Sequence, residues 1–116
     1  MKRNIVKDKS FAFAIRIVKL YQFLTSHKKE YVLSKQLLRS GTSVGAMVRE
    51  AEHAESKADF QHKFAIAQKE INETIYWLEL LKETDYLNDN EFKSMNHNAV
   101  ELIKLITSIL KTSKMN

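Results

Sequence analysis

The chain contains no cysteine, no proline and only two glycines in 116 residues. The absence of cysteine excludes disulfides, thiolate nucleophiles and cysteine-ligated zinc, and suits a reducing cytoplasm. The absence of proline, with glycine confined to Gly41 and Gly45, removes the punctuation that a strand-and-turn protein needs. Long apolar runs are missing as well. Met1, Lys2 and Arg3 have the charge of a signal-peptide start, but Lys7, Asp8, Lys9, Arg16 and Lys19 interrupt every apolar run that follows. No secretory or membrane-spanning segment is therefore expected. The length fits a single domain over residues 1–116.

What is present is helix. Apolar residues recur at helical spacing over about 10–26, 34–56, 58–84 and 89–112, and short connections make consecutive helices antiparallel. The expected fold class is all-α, an up-down-up-down antiparallel four-helix bundle. Ser10 is the expected N-cap of the first helix and Ser34 that of the second, with Leu33 as its hydrophobic staple. In the second helix Leu37, Ser40, Val44, Met47, Ala51 and Ala54 keep heptad spacing. Gly41 and Gly45 lie beside them, four residues apart on one face, as a notch where a neighbouring helix approaches closely. Phe60, Phe64, Ala67, Ile71, Thr74, Leu78 and Leu81 form the stripe of the third helix. Phe92, Met95, Ala99, Leu102, Ile106 and Ile109 form that of the fourth.

There is more apolar surface than one core requires. The first helix has one face of Phe11, Ala14, Ile15, Val18, Tyr21 and Phe23 and a second of Phe13, Ile17, Leu20 and Leu24. Ile66, Tyr76, Trp77 and Leu80 flank the third stripe, and Val100, Ile103, Leu105 and Leu110 the fourth. A surface helix in a monomer needs a single apolar stripe, so the excess predicts a homo-oligomer buried along the first helix or the outer faces of the third and fourth.

The stretch from Gln36 to Leu81 carries an ordered set of motifs. These are Gln36-Leu37-Leu38-Arg39-Ser40-Gly41-Thr42-Ser43-Val44-Gly45-Ala46, Glu50-Ala51, Ser56 through Asp59-Phe60 to Lys63, and Ile66-Ala67 through Lys69-Glu70, Glu73-Thr74 and Tyr76-Trp77-Leu78 to Leu81. In this the chain resembles the bacterial four-helix-bundle family named for proteins encoded in intervening sequences of 23S rRNA genes. Met47 and Arg49 stand where that family usually has Asn and Glu, so roles belonging to those two residues do not carry over. The family is related to the accessory variability protein of diversity-generating retroelements, a barrel-like homopentamer. The resemblance implies a pentamer here, one that assists a nucleic-acid enzyme.

Candidate sites are few. Glu50-x-x-His53 and Asp59-x-x-His62 have metal-ligand spacing, but both flank one turn at the end of the bundle, and a first helix beginning at Ser10 supplies no carboxylate. No metal and no cofactor are expected. No Gly-x-Ser-x-Gly elbow or Gly-Lys-Ser/Thr loop exists, so a non-enzyme is expected. For antiparallel second and third helices turning near residue 56, paired positions sum to about 113, which sets Arg39 opposite Glu73 and Glu50 opposite Lys63 as structural ion pairs.

The net charge is +5 with a pI near 9.4. Bundle topology gathers Lys2, Arg3, Lys7, Lys9, Lys57, Lys63, Lys111 and Lys114 at one end, diluted by Asp8, Glu50, Glu52, Glu55 and Asp59. Repeated around an oligomer, this end would offer a basic rim to RNA or DNA. Its lack of interleaved aromatics argues against base reading there. The expected function is weak, sequence-tolerant nucleic-acid binding by a cytoplasmic homo-oligomer. A protein–protein scaffold with no nucleic-acid role is the alternative.

Overall fold

A computed structural model describes residues 4–115 as four α-helices: α1 (Ile5–Ser26), α2 (Leu33–Glu52), α3 (Lys57–Glu83) and α4 (Asp89–Met115). They form an all-α bundle in which α2 packs on α1 and α3, and α4 on α3, while α1 and α4 meet across a looser seam. Neither glycine interrupts α2. The core is built from the predicted stripes, with Phe13, Ile17, Leu24, Leu37, Val44, Ala67, Ile71, Leu78, Ala99, Leu102 and Ile106 all buried.

The starts of two helices differ from expectation. The first helix begins at Ile5, with Asn4 as N-cap accepting from the Lys7 amide at 3.1 Å, and therefore includes Asp8. Ser10 is instead a buried interior residue whose hydroxyl donates to the Lys7 carbonyl at 3.1 Å. The glycines let α1 come close: a Cβ built on Gly45 would sit 3.3 Å from the Ser10 carbonyl oxygen, and one on Gly41 would sit 2.7 Å from Ile17 Cγ1. The neighbour admitted by the glycine notch is thus α1.

The second helix starts at Leu33, and the buried Glu30 carboxylate replaces Ser34 as its cap. That carboxylate accepts from the amides of Val32, Leu33 and Ser34 at 2.6, 2.7 and 3.2 Å. Ser34 is buried within the helix and its hydroxyl donates to the Glu30 carbonyl at 2.8 Å. α2 ends at Glu52, four residues earlier than expected, and Ser56 caps α3 by accepting from the Asp59 amide at 3.0 Å. Asn88 and Glu91 form a reciprocal capping box at α4, with amide-to-side-chain distances of 2.9 and 2.8 Å. α4 continues to Met115, past the expected Thr112.

Candidate functional site: the α2–α3 seam and the charged ends

The motif residues meet where α2 faces α3. Ser40 and Thr74 are fully buried, with Thr74 Oγ1 2.9 Å from Ser40 Oγ and 2.7 Å from the Glu70 carbonyl oxygen. At the outer edge of the same seam Arg39 bridges Glu70, at 3.0 Å, and Glu73. Trp77, one turn along, donates its indole N–H to Glu73 at 2.9 Å. That hydrogen bond, followed by the one from Arg39, holds the Glu73 carboxyl below its usual range. The hydrogen bond to Glu73 likewise raises Arg39, keeping the guanidinium charged. Toward the far end Lys63 reaches Glu50 at 3.1 Å. Both pairs read from the antiparallel register are formed, and Glu70 and Trp77 join the first. The i, i+3 and i+4 spacing of Glu70, Glu73 and Trp77 was the sequence signal for that larger cluster.

Along the middle of this seam the polar side chains pair with one another and orient the helices, while at its far end a surface pocket opens, lined by Arg49, Glu50, His53, Glu55, Asp59 and Lys63. Glu50, His53 and Asp59 of the two metal-like spacings line that pocket without forming a ligand set. Glu50 is taken by Lys63, Asp59 accepts from the Glu55 amide at 3.2 Å, and no group of three or more metal-ligating side chains forms among the described residues.

These geometries place the chain among relatives. The family model described as 23S rRNA-intervening sequence protein matches residues 2–108. The chain belongs to this family. A protein of unknown function from the S23 ribosomal protein family of Bacteroides thetaiotaomicron VPI-5482 is similar in crystal structure, with 57% identity and a TM-score of 0.91. The alignment covers 91% of this chain and 98% of that one. No curated protein matches.

Within the family fold, half of the described lysines of the expected basic end are compensated. Lys7 pairs with Glu52 at 3.3 Å, Lys9 with Glu101 at 3.0 Å, and Lys63 with Glu50. Lys57, Lys111 and Lys114 have no carboxylate within salt-bridge reach among the described residues, and Lys2 and Arg3 lie outside those residues. The α1–α4 pairing that brings Glu101 to Lys9 also sets the Arg16 guanidinium on the Ser94 carbonyl and hydroxyl, at 3.3 and 2.8 Å, and on Asn98.

The excess apolar surface is concentrated on α1. Phe11, Ile15 and Val18 are 53%, 43% and 37% exposed in one stripe, while of the large apolar residues in α3 only Tyr76 is comparably exposed. Arg49 lies 4.9 Å above the Phe11 ring, so this departure from the family pattern touches that stripe directly. Met47, the other departure, packs half-buried against the core. No described helix is long and apolar enough to cross a membrane.

Proposed function

We propose that the protein is a cytoplasmic, non-enzymatic homo-oligomeric bundle that holds RNA or DNA weakly and without sequence preference. The observation that carries this reading is the division of its surface. One exposed apolar stripe on α1 suits self-contact, and lysines at both ends have no carboxylate partner and suit phosphate. Family resemblance makes five the favoured number of subunits, and a ring multiplies a small contact per subunit through avidity. Association with a nucleic-acid enzyme fits the same design. A protein–protein scaffold is the second reading, favoured by the compensation of Lys7, Lys9 and Lys63.

Light scattering combined with fluorescence anisotropy tests both halves. Wild type is expected as an oligomer whose affinity for a labelled oligonucleotide falls linearly on a log-log plot against salt. Replacing Ile15 and Val18 by Lys should yield a species of 13.5 kDa that has lost binding despite its added charge. A monomeric wild type would remove the assembly argument. Wild type that binds neither RNA nor DNA at about 50 mM salt would give first place to the scaffold.

A further inference from the structure

The end of the bundle opposite the partly compensated one carries a different kind of surface. The connection between α1 and α2 places Lys28 and Lys29 immediately before Glu30, Tyr31 and Val32, with Lys35 one turn into α2. Tyr31 is 59% and Val32 73% exposed, side by side in water. None of the three lysines has a carboxylate within salt-bridge reach among the described residues. The one acid in the segment, Glu30, is turned inward and occupied by three amides. The acids Glu83, Asp85, Asp89 and Glu91 of this end lie on the α3–α4 side, where Lys82 lies 3.9 Å from Glu83 and 3.8 Å from Asp89 and Glu91 accepts from the Asn88 amide. Positive charge and an uncovered ring are therefore combined on the α1–α2 corner.

The corner is also held in shape. Besides the three amides on its carboxylate, Glu30 donates its own amide to the Leu24 carbonyl at 3.0 Å and receives the Ser34 hydroxyl on its carbonyl. Lys29 takes the left-handed backbone conformation, φ 56°, that reverses the chain. A loop tied at so many points displays Tyr31 and Val32 at little ordering cost to a ligand.

From this placement we propose that the α1–α2 corner is the site for single-stranded nucleic acid, with Tyr31 as a stacking platform for a base and Lys28, Lys29 and Lys35 on the flanking phosphates. The proposal rests on the nucleic-acid reading above and relocates its contact. Lysine ammonium groups supply the phosphate contact, and every base offers a face to an aromatic ring, so the site tolerates sequence while preferring unpaired strands. In a duplex the bases are already stacked and Tyr31 has nothing to receive.

Anisotropy with labelled single-stranded RNA, single-stranded DNA and a duplex of equal length, near 50 mM salt, tests this on the full chain. Helix circular dichroism and light scattering confirm fold and assembly for each variant. Tyr31→Ala should weaken single-strand binding about 5- to 150-fold, the range for one stacked base, with little change for the duplex. Tyr31→Phe should restore it. Replacing Lys28, Lys29 and Lys35 by Glu should abolish binding, whereas the same replacement of Lys57, Lys111 and Lys114 should leave most of it. If the second triple variant loses binding and the first keeps it, nucleic-acid binding stands and this corner is overturned as its site. If the first triple variant alters only the oligomeric state, the corner meets a neighbouring subunit and the proposal fails. If wild type binds none of the three probes, the proposal and the nucleic-acid reading fall together.

Discussion

Replacing Gly41 by Ala is informative because two opposing effects of similar size act at one atom. In an exposed helix position the change stabilises by about 1 kcal/mol, since glycine carries the larger entropic cost of helix formation. At Gly41 the added methyl lands 2.7 Å from Cγ1 and 2.9 Å from both Cδ1 and Cγ2 of Ile17. Ile17 is β-branched and 0% exposed, so it cannot swing away cheaply. Overpacking of this kind costs about 1–3 kcal/mol. The net expectation is a loss between about zero and 2 kcal/mol, the difference of the two effects. Two comparisons isolate the cause. Ala46 is exposed on the same helix, and Ala46→Gly should cost about 1 kcal/mol, which calibrates the propensity in place. In an Ile17→Ala background the obstructing atoms are gone, and Gly41→Ala should become stabilising. The sign therefore inverts between backgrounds, with a coupling of about 1–3 kcal/mol. Urea titrations followed by helix circular dichroism and Trp77 fluorescence, at one fixed protein concentration, measure all the variants. Stabilisation by about 1 kcal/mol in both backgrounds would refute the close α1–α2 approach.

Gly45→Leu should cost more than about 1 kcal/mol, because its obstacle is the Ser10 backbone, which yields less readily than a side chain; thermal melts decide it. Glu30→Ala strips three amides of their acceptor and should cost about 1–3 kcal/mol, and Glu30→Gln, which keeps one acceptor oxygen, should cost less in the same melts. The Glu73 carboxyl is lowered in the folded protein, so its contribution to stability is complete above the usual carboxylate range and is lost as pH falls through the lowered value. Trp77→Phe removes the larger cause and should move the Glu73 midpoint upward in a carboxyl NMR titration; an unchanged midpoint would show that the indole N–H does not set it.

The heptad stripes and the antiparallel register were legible because both depend on spacing within or between adjacent helices. Arg39 with Glu73, and Glu50 with Lys63, follow from one turn position. The caps were harder to read. Ser10 has the chemistry of an N-cap but is held inside α1 by the close approach of Gly45, a tertiary fact that no local pattern contains. Glu30 caps α2 from a residue that sequence rules assign to solvent, because burial of its carboxylate depends on the path of the whole connection. The compensation of Lys7 and Lys9 also escaped the sequence. Their partners Glu52 and Glu101 are 45 and 92 residues away, and Lys9 finds Glu101 only through the α1–α4 pairing. The exposure of Tyr31 and Val32 is a property of the same connection and had no periodic signature.

The buried Ser40–Thr74 contact works as an address. Apolar stripes on two antiparallel helices fit one another nearly as well after sliding by one turn, about 5.4 Å, so grease alone distinguishes poorly between neighbouring registers. Such a slide would break the hydrogen bond between the two hydroxyls, worth about 0.5–1.5 kcal/mol, while each kept the carbonyl contact within its own helix, and would also carry Arg39 off its present contacts. The two polar contacts, one inside and one at the rim, thus check the same alignment independently. A chain in which both hydroxyls were removed would keep its cohesion and rely on the rim contact alone to tell which turn faces which.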